Sequence, residues 1–407
     1  MLVSSLASED SLGAEGFVHR SNLSGDWGGL RSSLEERGVS LEFFYTADAV
    51  FNMVGGLETG LDALGNLDLV LELDLDQLLG WPGGRLSLYG LGTHGGRPSE
   101  RVGDVQGFNN IEAPYGWRLF EAYVAQSLFQ GKLDVLAGLY DVTSEFDVAP
   151  TAAVFVQSSF GTGGEFGNSG INGPSTFPQT SLGLRFEIRP TPALFGRLVV
   201  ADGVPGNPDR PGRTSIRLGD GDGILVVGEI GWINIPGEAA TRRVERRFNG
   251  TPAIDSFGYY GKFAVGAYGY TTRFEDATSS RRGAYGGYGL AQQAIYREAD
   301  RPSEGLNVFF RFGAGSRRGH LVNGYVGGGL VYRGVSDWRP KDALGLAVAA
   351  AHPVDASDWE TAVELTYRLP IFGWWSLQPD IQWVIVPAGD PSIDHAVAFT
   401  LRSQLRI

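Results

Sequence analysis

Three runs of strict apolar/polar alternation, divided by two turns, fill Glu360–Ile407. In the last run Val397, Phe399, Leu401, Leu405 and Ile407 share one parity, while Ala398, Thr400, Arg402, Gln404 and Arg406 take the other. Successive side chains of a strand point to opposite faces, so this stretch is a ribbon with one greasy face and one charged face. An unpaired apolar edge of this regularity invites aggregation. The segment therefore reads as the strand that closes a barrel, and the open question is whether its greasy face looks inward to a core or outward to lipid.

The same pattern recurs along the chain. Leu67, Leu69, Leu71, Leu73 and Leu75 alternate with Asp68, Val70, Glu72 and Asp74. Leu182–Arg189, Leu306–Gly313, Ala362–Leu369 and Trp375–Ile385 repeat it, a first strand spans Leu41–Phe51, and weaker runs lie near 85–93, 119–128, 132–140, 194–201, 223–232, 259–273, 287–297, 322–332 and 343–351. The sum is about sixteen strands, an even number as single-chain outer-membrane barrels have. Phe129–Gly131, Pro190–Ala193 and Pro370–Trp374 are tight turns falling on one side, while the long connections 94–118, 141–181, 202–222 and 386–394 fall on the other, the asymmetry expected of such barrels. Residues 233–258 are long yet lie on the short-turn side, which leaves room for a miscounted strand.

Composition chooses between the two faces. Of 407 residues, 60 are glycine, 12% are aromatic, only 19% are charged and none is cysteine, which excludes thiol chemistry and a disulfide framework. No apolar run approaches the ~18 residues of a membrane helix. A soluble barrel of about sixteen strands would be too wide for side chains to fill. The polar parity is rich in Arg, Glu, Asp and Gln, which suits a wet lumen, and the apolar parity carries Trp375, Trp383, Tyr367 and Phe399, which suits a lipid band with aromatic girdles. The expected class is all-β: a transmembrane, up-and-down antiparallel β-barrel. A net charge of −13 speaks against nucleic acid as a partner.

Ahead of the barrel, residues 1–23 read as a flexible arm without the basic and apolar regions of a secretory signal; the membrane destination of the rest implies a leader already removed. Residues 24–40 read as a short periplasmic helix, capped by Ser24 or Asp26, with Trp27, Leu30 and Leu34 on one face, an Arg31–Glu35 pair and Gly38 past its end. The barrel takes 41–407.

GDWGGLRSSLEERGVSLEFFYTAD near the start, RLFEAYVAQSLFQGKLDVLAGLYDVTSEF, VFVQSSFG and the closing ELTYRLPIFGWWSLQPDIQWVIVPAGD resemble the carbohydrate-selective porins of the OprB family. The resemblance spans about Leu23–Ile407. It implies an outer-membrane barrel that passes small sugars by diffusion, with 141–181 folded inward as a constriction bearing Asp141, Glu145, Asp147 and Phe155. General porins related to it are trimers, so a homotrimer in outer-membrane lipid is the assembly it suggests.

By parity, Arg118, Glu121, Arg185, Glu187, Arg311, Glu364, Arg368, Asp380, Gln382 and Arg402 point inward, where they either hydrogen-bond sugar hydroxyls or pair with one another to hold the wall. Tyr123, Tyr268 and Tyr270 are candidate lumen aromatics for the apolar faces of sugar rings. Gly219–Gly223 reads as an acidic turn rather than a calcium loop, and Arg242, Arg243, Arg246 and Arg247 form a basic patch. The five histidines lack metal-ligand spacing, and no nucleophile or nucleotide motif occurs, so neither metal nor cofactor is expected. Glu364 and Asp380 could serve a glycosidase, but lumen charge needs no chemistry. Two other readings remain: a plugged structural barrel or adhesin, and a soluble carbohydrate-active protein.

Overall fold

The computed structural model describes residues 16–234, 261–275, 280–301 and 303–407. Its strands are β1 (Val39–Val54), β2 (Gly60–Asp74), β3 (Gly84–Gly95), β4 (Gly116–Leu128), β5 (Leu133–Tyr140), β6 (Ser181–Ile188), β7 (Leu194–Asp202) and β8 (Ile224–Asn234). The second half contributes β9 (Gly261–Glu275), β10 (Ser280–Arg297), β11 (Gly305–Gly315), β12 (Val322–Arg333), β13 (Ala343–Pro353), β14 (Glu360–Phe372), β15 (Trp375–Ile385) and β16 (Ala396–Arg406). Every strand pairs antiparallel with its sequence neighbours, and β16 returns to β1 through register pairs such as Arg402↔Asp48 and Phe399↔Phe51. Closure leaves no strand edge, which is the condition for a sheet to cross hydrocarbon.

Alternation becomes an inside-out distribution of polarity. On β16, Thr400, Arg402 and Gln404 are buried, while Phe399 and Leu401 are exposed. On β14, Glu364, Thr366 and Arg368 are buried, while Leu365 is 46% exposed. Charges inside and aliphatics outside is the reverse of a soluble sandwich, so the greasy parity is turned outward, as a lipid-facing band requires. Phe372, Trp374 and Trp375 stack beside the β14–β15 turn, and Trp232 and Phe263 approach to 5.8 Å at the same end. Phe51, Phe399 and Trp383 lie toward the other end, as the second belt of aromatics.

β8 and β9 pair directly through Asn234↔Gly261, so no further strand stands between them in the wall; residues 235–260, with the Arg242–Arg247 cluster, lie outside the described residues. Alternation also overruns at Leu75. That residue opens a short helix, Leu75–Leu79, whose first N–H groups are capped by the Asp74 carboxylate.

Before the barrel, a 3₁₀ turn (Trp27–Gly29) runs into a helix of six residues, Leu30–Glu35. Asp26 takes the Ser32 amide and hydroxyl at 2.9 and 2.8 Å, and Gly38 holds φ 84° past the end. The expected Arg31–Glu35 pair is replaced. Arg31 is buried over the Trp27 ring at 4.4 Å and donates to Ser24 Oγ and to the Ile407 carbonyl. The barrel rim offers an acceptor that one turn of helix cannot match. Leu23 N also donates to Arg406 O at 2.7 Å, so the N-terminal segment is fastened to the closing strand.

Replacing Leu365 by Arg puts a charge on the lipid face of β14. The expected cost is about 2–4 kcal/mol near mid-bilayer, read as a shifted unfolding transition in lipid vesicles. An unchanged transition would mean that this face does not meet hydrocarbon.

Candidate functional site

Sixteen strands enclose more space than their own side chains fill, and loops enter it. The connection 141–180 leaves β5 and crosses to the far wall. There Glu364 on β14 accepts the Val156 and Gln157 amides at 2.6 and 3.0 Å, and Gln378 on β15 donates to Val154 O at 2.7 Å. Arg311 on β11 donates to the Phe160 and Asp147 carbonyls at 2.7 and 2.8 Å and forms an ion pair with the Asp147 carboxylate. Lys262 on β9 reaches Val148 O, Gln292 on β10 takes the Thr151 amide, and Tyr325 on β12 reaches Ser159 O. Buried backbone groups of a loop need partners, and inward side chains on six strands, β9–β12, β14 and β15, supply these.

The wall opposite is shaped to admit the loop. The lumen parity of β13 is Ala343, Gly345, Ala347, Ala349 and Ala351, against which Ala149, Ala152, Val154, Phe155 and Phe160 pack. A Cβ on Gly345 would stand 2.9 Å from the Phe155 ring. A second apolar cluster joins Phe146 and Phe166 of the loop to Tyr123, Tyr268, Tyr270 and Tyr288, with Phe166 and Tyr268 at 4.5 Å between ring centres. The lumen is therefore polar in one part and dry in another. Of the three tyrosines expected to offer faces to sugars, Tyr268 and Tyr270 are buried in this cluster, and Tyr123, buried with them, also lines a cavity.

Other sites expected from parity are inward too, and most carry specific bonds. Arg118 donates to Thr93 Oγ1 and to the carbonyls of Pro114 and Pro211. Glu121 accepts the Asp141 amide at 3.1 Å. Arg185 binds Asp134 and Glu145, and Glu187 binds Arg189 and Arg197. Arg197 continues to Glu229, which also meets Lys262. Gln382 donates to Asp380 and to Phe108 O. Arg402 grips Asp48 through two nitrogens and reaches Asn110 Oδ1 at 2.7 Å. Of the two sequence readings for inward charges, mutual pairing accounts for Arg185, Glu145, Glu187, Arg311 and Asp147.

Sequence reasoning missed a second infolded loop, 96–115. Glu360 accepts the Val105 and Gln106 amides at 2.8 and 3.2 Å, and Asn109 donates to Asp48 at 2.7 Å. The two loops bind each other through Asn110 N to Val156 O and Ser158 N to Gly107 O, at 2.8 and 2.9 Å. Its only sequence signal was length. Away from the loops, near the β2–β3 helix, a cavity of about 280 Å³ is lined by Glu35, Ser40, Glu72, Asp74, Gln77, Arg85, Ser87 and Tyr123.

Burial shifts loop carboxyls upward, Asp104, Glu112 and Asp147 among them. Burial first, then the charge of Glu121, pushes Asp141 up to about 7; burial first, then Asp147, pushes Glu165 up to about 8. Such groups favour the docked loop while protonated, and the contribution is lost as pH rises through the raised value.

Residues 58–406 match the family described as carbohydrate-selective porin, OprB family. Porin B of Pseudomonas aeruginosa is 24% identical over 96% of this chain and 92% of its own. Among solved structures, Pseudomonas putida OprB at high pH superposes with TM-score 0.80 at 22% identity, covering 96% of this chain and 99% of that one. The same porin at low pH gives 0.62 at 20% identity.

Two outcomes follow from the anchoring of 141–180. Arg311→Met leaves Asp147 buried and unpaired, at a cost of about 3–5 kcal/mol for a broken buried pair. Larger and noisier single-channel conductance is expected, and an unchanged trace would remove Arg311 from the anchor. Raising pH from 6 to 9 should speed proteolytic cleavage within 141–180 in the detergent-solubilised barrel, with Glu165→Gln flattening the upper part of that rise.

Proposed function

Since the chain belongs to the carbohydrate-selective porin, OprB family, we propose that small neutral sugars cross its lumen passively, beside the 141–180 loop, which narrows the passage. One observation supports this reading: a closed barrel with polar groups inside admits a loop that is bonded to the far wall, the arrangement that a constriction of fixed geometry requires. Diffusion through such a passage is selected by width, by hydrogen-bonding groups and by charge. Side chains paired into neutral networks present dipoles to a passing solute, which suits hydroxyls. Among the expected site residues, Gln382 and Arg402 bond the 96–115 loop and Asp380 bonds Gln382; these three are the ones proposed to touch sugar, while Arg118 and Arg185 brace the wall and Arg311 holds the 141–180 loop.

It is an outer-membrane protein and a channel, and no catalytic role enters the reading. Glu364, half of the carboxylate pair considered for glycoside hydrolysis, uses both oxygens to anchor loop amides. Lipid against the apolar parity and two further copies of the chain complete the proposed partners, the trimer being checked by native mass of the extracted barrel.

Reconstitution in planar bilayers tests the function. Discrete conductance steps are expected, with glucose or maltose reducing the current in a concentration-dependent way. Absence of steps would favour a plugged barrel, and steps indifferent to every sugar would remove the selectivity.

A further inference from the structure

At the tight-turn end of the lumen, the inward parity of four neighbouring strands lines up in one row. Ser40 on β1 pairs with Glu72 on β2, Glu72 with Ser87 on β3, and Ser87 with Tyr123 on β4. The row faces the cavity of about 280 Å³ that Gln77 of the β2–β3 helix also lines. Neighbouring strands stand about 4.8 Å apart, so Ser40 and Ser87 flank Glu72 within the width of one hexose and its hydroxyls. Asp48, which holds Asn109 of the 96–115 loop, lies farther along β1 by about 25 Å. Tyr123 closes the row at its other end, where it joins the apolar cluster under the 141–180 loop.

The three polar members of this row are left open. Ser87 is only 4% exposed, lines the cavity, and its hydroxyl has no hydrogen-bond partner among the described residues. Ser40 and Glu72 have none there either, and Glu72 stands exposed in the opening. A buried hydroxyl without a partner calls for one. The space beside it far exceeds the about 30 Å³ share of one water and falls just short of the about 300–1,000 Å³ of sites for drug-sized ligands, which leaves room for a single sugar ring. Glu35, Glu72 and Asp74 line the cavity against one cation, Arg85, which is already paired with Asp134. An acidic cavity with hydroxyls on its wall suits a polyol that bears no acid group.

We propose that Ser40, Glu72 and Ser87 form a second sugar subsite, which takes one neutral monosaccharide at the tight-turn end of the passage, apart from the infolded loops. An ionised carboxylate only accepts, through two oxygens, so Glu72 receives two neighbouring ring hydroxyls in charge-assisted bonds. Ser40 and Ser87 each donate and accept and take the hydroxyls on either side. Tyr123 bounds the site toward β4 with apolar surface. Conduction needs sites that bind weakly and hand a solute on, and a station beyond the constriction serves that need. The class of ligand rests on the channel reading; the cavity and its open row do not.

The chain has no cysteine, so Gln77→Cys introduces a single thiol on the cavity lining. In the full-length, detergent-solubilised barrel, glucose at about ten times its dissociation constant is expected to slow alkylation of that thiol by about tenfold. Lys132→Cys, in the exposed β4–β5 turn, should react at the same rate with or without sugar. Adding Glu72→Ala to Gln77→Cys should remove the protection, and Glu72→Asp should keep part of it. Independently of any change at Glu72, the fully O-methylated ether of glucose, which has no hydroxyl to donate, should not protect. Alkylation indifferent to glucose, protection kept in Glu72→Ala, or equal protection by the methyl ether overturns the proposal. Protection in a barrel without conductance steps would uphold the subsite and sink the channel reading. Steps blocked by glucose without protection at position 77 would uphold the channel and sink the subsite.

Discussion

Closure of β1 on β16 is the constraint from which the rest descends. Hydrocarbon offers nothing to an unpaired amide or carbonyl, so the sheet must meet itself, as it does through Phe44↔Arg406 to Val54↔Val397. A ring of sixteen strands then has a circumference that side chains alone cannot fill. The polar parity is forced inward because the apolar parity meets lipid. What remains is a wide, charged hole, and the permeability of the protein is decided by what enters it.

Peptide segments enter it, and they bring unsatisfied backbone with them. Glu360, Glu364, Gln378 and Arg311 receive or donate to loop amides and carbonyls, so the inward charges act first as a docking surface. The same need explains the dry sector. The small lumen face of β13 brings Phe155 and Phe160 against the wall, where burial of apolar surface supplies what hydrogen bonds exchanged with water do not. A loop held by both means keeps a fixed place inside the barrel.

The strands were legible in the sequence because their period is two and lipid enforces it on every turn of the wall. Leu67–Leu75 and Val397–Ile407 displayed it without help from any partner. Leu75 broke from the pattern because Asp74 caps a helix there, a local hydrogen bond that alternation cannot register. The inward direction of Arg185, Arg311 and Arg402 was equally legible, but their partners were not. Asp147 lies in a loop, far from Arg311 in sequence, and Asn110 reaches Arg402 from another loop. Tyr268 and Tyr270 looked like free aromatic faces because nothing in their own strand reveals Phe166 lying against them. Contacts across a lumen join segments that share no periodicity, so the residues themselves offered only length as a sign that 96–115 and 141–180 turn inward, and the family resemblance added its expectation for the second alone.

The same difference separates wall chemistry from passage chemistry. A pair such as Arg402–Asp48 is complete within the protein and offers a solute only its outward dipole. Chains of pairs like Arg185–Glu145 and Arg197–Glu187 do likewise over a wider area. A neutral solute rich in hydroxyls gains from such dipoles and leaves them easily, which passive diffusion requires. A lumen of isolated charges would instead hold ions strongly and slow their release. Pairing therefore does two things at once: it fixes the loops, and it lowers the field that a sugar must cross.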